Sequence, residues 1–385
     1  MRVVLSTWGR FHSFHLARQM MRFGWLEAVF TTFPRHVLRR EGVPRDKLLT
    51  NPFWHTVLTA KQRLGFGSPR IDRMLARLVD ESQNRFIQRR IPECDVFVAL
   101  SGSGLLGGRV VQGRGGKWFC DRSSSHAAYA DQLLKEEFAR FRIPYVGTAL
   151  YSIDKELQEY DEADRIIVPS EFAQRSFVEM GIDPAKVVRI PFGGDTSRFW
   201  RTVEPDPEAF TVFYCGQVSF RKGVPYLLEA FARLNHPRKK LFIAGIVLPE
   251  IKDFLTTVDL TGVTFLGHRT KDQLRDHYSG ADVFAMASVE EGMANVQTEA
   301  MACGTPVITT VNAGGGELIR EGVEGFVVPI RDPARLAEHL QQLADDRKLA
   351  RKMGRAARKR IESLGPGGWD IYGDMYRELC QSDLR

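Results

Sequence analysis

Short apolar segments recur along this chain with amphipathic stretches between them, and no other feature constrains the fold as strongly. Residues 2–7, 25–30, 95–100, 117–121, 165–169 and 187–191 read as strands. The pattern resumes at 210–215, 240–244, 263–266, 282–286, 306–310 and 325–328. Between them, 224–234, 271–279 and 334–343 place apolar residues at helical spacing. Strand and helix alternating this often predict doubly wound parallel sheets and exclude all-β and helical-bundle folds.

The alternation pauses once. Gly193-Gly194-Asp195 ends one unit, and the Pro-punctuated stretch Thr202-Val203-Glu204-Pro205-Asp206-Pro207 reads as a linker. We expect an α/β chain of two Rossmann-like domains, 1–199 and 200–364, facing a central cleft. The tail 365–385 restarts after Gly365-Pro366 as a helix packing back across the junction. Ligands bind at the carboxyl ends of strands in such sheets, so the cleft is the expected site.

Composition enters through charge. The chain carries 54 Lys+Arg against 47 Asp+Glu, and residues 1–150 hold 24 and 12 of these. A basic first half calls for an anionic partner: nucleic acid, a membrane or an acidic substrate. The surplus concentrates in 34–90, where basic residues alternate with Phe53, Trp54, Leu58, Leu64, Phe66, Ile71, Leu75 and Leu78. That pattern suits a helix lying on an anionic membrane. Hydrophobic residues at 43% and charged residues at 26% exclude disordered, collagenous and disulfide-framework chains. Cys94, Cys120, Cys215, Cys303 and Cys380 are widely spaced, which predicts free thiols in a reducing compartment. The start does not read as a signal peptide and the apolar runs are too short to span a bilayer. The expected location is cytoplasmic, peripheral at the inner face of the membrane.

The chemistry concentrates after residue 286. Asn295 reads as a helix N-cap and Gly304 as the stop. Glu299 lies one turn inside that helix, and Glu291 lies eight residues earlier, facing the same terminus. Free amides around Met293, Ala294, Asn295 and Val296, with the positive end of the helix dipole, form an anion site. Two carboxylates for hydroxyls beside an anion hole suit a sugar diphosphate.

The stretch Glu291–Glu299, with Ala300-Met301-Ala302-Cys303-Gly304-Thr305-Pro306 after it, resembles the E-x7-E signature of retaining GT-B glycosyltransferases of family 4. Gly216-Gln217-Val218-Ser219-Phe220-Arg221-Lys222-Gly223 is similar to that family's donor-phosphate loop. Pro169-Ser170-Glu171, Pro191-Phe192-Gly193-Gly194-Asp195 and Glu321-Gly322-Val323-Glu324-Gly325 agree as well, so the likeness covers roughly 160–345. It implies a GT-B fold and a hexosyltransferase that needs no metal or cofactor beyond a UDP- or GDP-linked sugar donor. The acceptor would be lipid-linked or an oligosaccharide, in cell-surface polysaccharide or glycolipid synthesis. By the same resemblance Lys222 and Arg221 neutralise the departing diphosphate, Glu299 holds the ribose, and Glu291 binds the donor sugar. Gly216, Met293, Ala294 and Asn295 complete the donor site. Gln217 stands where many members have Arg, which leaves more of the charge to Arg221 and Lys222.

In the first half, Arg122-Ser123-Ser124-Ser125-His126 follows a strand, and His126 resembles the family's first-domain histidine near the donor sugar. Gly9, Arg10, His12 and Ser101 follow strands and line the acceptor side. Gly314-Gly315-Gly316-Glu317, His268 and Arg269 are further candidates near the donor. The rival readings are a GT-B nucleotide-sugar epimerase and a basic nucleic-acid- or membrane-binding protein without transferase activity. Nucleic acid as a partner is disfavoured because no recognised nucleic-acid motif appears.

Overall fold

The computed structural model describes residues 1–385 apart from 10–11, 65–68, 148–149, 366–367 and 385. The first sheet contains β1 (Val3–Thr7), β2 (Leu26–Thr31), β3 (Leu48–Thr50), β4 (Val96–Leu100), β5 (Lys117–Asp121), β6 (Arg165–Val168) and β7 (Val187–Arg189). Its order is β3-β2-β1-β4-β5-β6-β7. The second contains β8 (Phe210–Cys215), β9 (Lys239–Ala244), β10 (Val263–Gly267), β11 (Val283–Ala285), β12 (Val307–Thr310) and β13 (Gly325–Val328). Its order is β10-β9-β8-β11-β12-β13, and neighbouring strands run parallel in both sheets. The strand order reverses beside β1 and beside β8. A crevice opens at the carboxyl ends of the strands at each of these switch points.

Helices cover both faces of each sheet, so the strands are buried on both sides and read as unbroken apolar runs. Within β1, Val3 and Leu5 join one core and Val4 the other, because side chains alternate along a strand. The core holding Val3 and Leu5 also contains Phe192, Trp369 and Tyr372 and the second sheet's Val212 and Ile308. Apolar packing is therefore continuous between the two halves. After the second sheet the chain returns to the first: helix Asp370–Asp383 sets Asp383 in a two-pronged pair with Arg165, at 2.7 and 2.8 Å. Near its start, Asp370 lies 3.1 Å from Arg22.

Segment 34–90 departs from the single surface helix expected of it. It contains β3 on the sheet edge, followed by helices Phe53–Leu64 and Pro69–Arg90. β3 is only three residues long and sits among charged neighbours, which hides it from any reading of periodicity. The apolar character of the segment nonetheless remains at the surface. Phe53, Leu64, Ile71 and Met74 are exposed, by 43–66 %. Phe66 lies outside the described residues. Among the described residues no helix is long and apolar enough to cross a membrane, and all five cysteines are free.

Candidate active site

Two loops at the carboxyl ends of β8 and β11 make the centre of the site, and glycine allows them to meet. Gly223 has φ +63°, and a Cβ there would lie 1.7 Å from the carbonyl oxygen of Ala287. Only glycine permits that approach. The amide of Val289 donates to the carbonyl of Arg221 at 2.9 Å and joins the loops. On the other side, a Cβ on Gly292 would lie 1.9 Å from the carbonyl oxygen of Ser123. Ser170 Oγ also donates to the Gly292 carbonyl at 2.6 Å. The β11 loop is thus pressed between its own domain and the first.

Lys222 is largely buried and in direct contact with the Glu291 carboxylate, with Arg221 Nη2 3.8 Å from the same group. Burial and the adjacent guanidinium push the Lys222 pKa down to about 7, while Glu290 pulls the other way. Glu299 is half-buried and accepts from Tyr278 Oη at 3.0 Å. Burial raises its pKa to about 7, against the opposing pull of Lys271 and the Tyr278 hydroxyl. Shifts of this kind make Lys222 and Glu299 candidates for contact with a charged ligand.

Helix Asn295–Ala302 begins one residue earlier than expected. Ala294 occupies the cap and Asn295 is the first helical residue, with no side-chain cap. A cap hydroxyl or carboxamide would have taken up a first-turn amide. Without one, the amides of Asn295 and Val296 have no protein acceptor among the described residues. Ala294 is not free, because its amide donates to the Ala313 carbonyl at 3.2 Å. Gly304, at φ +73°, ends the helix as expected. Gly216 lies against Tyr214, whose hydroxyl donates to the Gln217 carbonyl at 2.7 Å. His268 and Arg269 follow β10, whereas Glu317 turns to the first domain and accepts from the Glu171 amide at 2.8 Å.

The fully buried carboxylate of the loop is Glu290, which sequence reasoning left without a role. Its Oε1 accepts from Ser124 Oγ at 2.6 Å and Ser125 Oγ at 2.7 Å, and its Oε2 from Arg221 Nε at 2.8 Å. Burial alone would raise its pKa, but Arg221 and the two hydroxyls outweigh that and hold it at about 2. Glu290 therefore ties the lysine loop to the first domain, and part of the Arg221 charge is spent on it. The serine run 123–125 was the only sequence signal for this contact.

First-domain candidates fall into two groups. His126 is buried, its ring centroid 5.0 Å from both Tyr160 and Phe177, and its Nδ1 has no partner. Burial and Arg122 push its pKa down to about 4, so the ring is neutral near pH 7. His12 is also buried, stacks on Phe192 at 4.5 Å and pairs with Asp121 at 2.7 Å. Ser101 Oγ donates to Glu156 at 2.6 Å, and Gly9 is buried in a turn with Thr7. Arg10 lies outside the described residues. The loop around Ser101 precedes helix Leu105–Gly113, and the anion position at that helix N-terminus is filled from within. Glu159 accepts the amides of Gly102 at 2.6 Å, Gly104 at 2.8 Å and Leu105 at 2.9 Å.

Residues 197–360 match the family described as glycosyl transferases group 1. A D-inositol 3-phosphate glycosyltransferase of Kineococcus radiotolerans is 28% identical over 264 residues, covering 59% of this chain and 60% of that protein. An α-maltose-1-phosphate synthase of Mycobacterium tuberculosis is 31% identical over 193 residues, 46% of this chain and 49% of its own length. The chain thus spans between half and three-fifths of these curated relatives. Among solved structures, sucrose-phosphate synthase of Thermosynechococcus elongatus superposes with a TM-score of 0.71 at 20% identity, covering 99% of this chain and all of that one. The Anabaena protein HepE, solved with UDP and glucose, does so at 0.67 and 17%, with the same coverage. The chain folds as a GT-B protein, and residues 197–360 of its second half are similar to the glycosyl transferases group 1 family.

Proposed function

We propose that the chain is a retaining glycosyltransferase that moves a hexose from a nucleotide diphosphate-sugar to a lipid-linked or oligosaccharide acceptor. The observation that carries this reading is the contact of Lys222 and Arg221 with Glu291, in the loop that leads into the uncapped helix Asn295–Ala302 holding Glu299. Such a donor is already activated, so catalysis needs positive charge where the diphosphate departs. Lys222 and the helix amides supply it without a divalent metal. Glu291 holds the Lys222 ammonium. A bound diphosphate takes over Lys222 and frees Glu291 for hydroxyls of the transferred sugar. Glu299 takes the ribose hydroxyls. The family resemblance implies a reaction that runs on one face of the sugar, with a diphosphate oxygen taking the acceptor proton. His126, neutral and buried one residue from Ser125, supports the first-domain loop that meets the donor sugar.

The membrane enters through helices Phe53–Leu64 and Pro69–Arg90. Their exposed Phe53, Leu64, Ile71 and Met74 lie among Lys61, Arg73, Arg77 and Arg85, which suits peripheral docking on anionic lipid. A lipid-linked acceptor in cell-surface polysaccharide or glycolipid synthesis fits that placement.

The test is a donor screen for hydrolysis, starting with UDP-sugars because UDP is the nucleotide held by HepE, then GDP-sugars. Mass spectrometry and anomeric NMR of the products follow. Release of nucleoside diphosphate with an α-linked product from an α-donor supports the reading. Inversion at the anomeric carbon, or no hydrolysis of any donor, overturns it.

A further inference from the structure

A second cavity, of about 390 Å³, opens in the first domain between helices Pro69–Arg90, Leu105–Gly113 and Leu150–Glu162. Its neighbours place it at the carboxyl ends of β1 and β4. Lys155 Nζ donates to the Gly102 carbonyl, just beyond β4, and lies 5.8 Å above the ring of Trp8, just beyond β1. Asp80, Asn84, Leu105, Tyr151 and Lys155 line it.

The polar groups of Asp80, Asn84, Tyr151 and Lys155 are already committed to one another, with one exception. Asp80 accepts from Lys155, from Asn84 Nδ2 at 3.0 Å and from Tyr151 Oη at 2.8 Å. Asn84 Nδ2 also faces the Asp80 and Gly102 carbonyls, so its orientation is fixed by three acceptors. Asn84 Oδ1 is left over: the residue is 3 % exposed and this oxygen has no donor among the described residues. An unpaired buried acceptor is destabilising, and a donor brought by a ligand would offset that cost. Around it, Asp80, Glu81 and Asp154 outnumber Lys155 and Arg85. Lys155 is paired with Asp80, and Arg85 lies 3.5 Å from Glu81. The nearby helix N-terminus that would otherwise attract an anion already holds Glu159. The cavity offers hydrogen-bond acceptors, paired cations and an apolar wall of Leu105 and Leu106.

We infer that this cavity binds an uncharged, hydroxyl-rich group, a sugar ring or polyol without a phosphate, as the recognised part of the acceptor. The inference rests on the transferase reading for the word acceptor, but the cavity's chemistry stands apart from it. It also fits the membrane face. Met74 and Asn84 are ten residues apart on one helix, about 15 Å along its axis, so a lipid tail at the exposed face and a sugar in the cavity belong to one molecule of ordinary size.

The experiment measures binding without donor or turnover, so that failure of the transferase reading leaves it intact. Crystals of the full chain are soaked separately with myo-inositol and with inositol 3-phosphate, and NMR titrations give both affinities. The expected result is the neutral polyol in the cavity, bonded at Asp80 and Asn84, with the phosphorylated form about tenfold weaker there. Leu106→Trp, which fills the cavity from its apolar wall, abolishes the titration while the melting curve stays as in wild type. A cavity that stays empty at saturating polyol overturns the inference, as does tighter binding of the phosphorylated form.

Discussion

The two domains solve the same local problem in opposite ways. Each ends a central strand in a glycine-containing loop and starts a helix whose first-turn amides need a partner. In the first domain Glu159 supplies it, satisfying Gly102, Gly104 and Leu105 from inside the fold. The second domain brings no side-chain cap to the helix start at Asn295 and sets Lys222 against Glu291 in the loop that leads into it. One anion position is filled by the protein's own carboxylate, and the other is the one we assign to the donor diphosphate. The basic surplus of the first half therefore meets no open anion position at this helix N-terminus. It covers the surface around the Phe53–Leu64 and Pro69–Arg90 helices, while the cavity beneath is rich in acceptors.

The largest expected effect comes from emptying the charged site. Lys222→Ala should lower kcat by about 10²–10³, the cost of removing one donor from developing negative charge, with the melting curve unchanged. Near-normal turnover in a steady-state assay would remove the second domain's side of the comparison. Next comes the filled site. Glu159→Ala leaves three amides without an acceptor and should destabilise the first domain by about 3 kcal/mol or more. Added sulfate should restore part of the melting temperature in this variant and not in wild type. A variant as stable as wild type, or one indifferent to sulfate, would mean that Glu159 is not standing in for an anion.

A smaller effect is the pH dependence of donor binding. The Glu299 pKa is raised to about 7, so the group gains a proton as pH falls through that value and loses its capacity to accept from two ribose hydroxyls. Nucleoside diphosphate affinity measured by calorimetry should weaken on that acidic side, and Glu299→Gln should flatten the acidic limb. Lys222, lowered to about 7, gives the opposite limb: above that pH a proton must be taken up as the diphosphate binds. Buffers of different ionisation enthalpy report that uptake, and binding without it would argue against Lys222 as the diphosphate contact. The smallest effect is at the surface. Phe53→Asp with Leu64→Asp should weaken sedimentation with anionic vesicles at low salt, by about 1 kcal/mol for each apolar side chain withheld from the lipid. Sedimentation equal to wild type would return these side chains to ordinary surface.

The sequence made the sheets legible because strands buried on both faces cannot alternate with polar residues. Val3-Val4-Leu5 and Phe210 to Cys215 are unmistakable for that reason. β3 escaped because three residues at an edge carry no period. The places of Glu291 before helix Asn295–Ala302 and of Glu299 within it were legible from their spacing about a helix start. Glu290 and Glu159 were not, since each acts on a loop far away in the chain. Glu290 reaches Ser124 and Ser125 across the domain junction, and Glu159 reaches back more than fifty residues to Gly104. A carboxylate's partners are set by tertiary packing, and nothing in the residues beside it announces them. The cap at Ala294 in place of Asn295 is the same lesson on a smaller scale. The preference for Asn at a cap yielded to the bond between the Ala294 amide and Ala313.

A crystal structure of the chain with an intact nucleotide diphosphate-sugar tests the central contrast most directly. The account predicts the diphosphate against Lys222 and the amides of Asn295 and Val296, with the ribose at Glu299 and the Glu159 contacts undisturbed. A diphosphate seated on the first domain's Ser101–Gly104 loop, with Glu159 displaced, would contradict it.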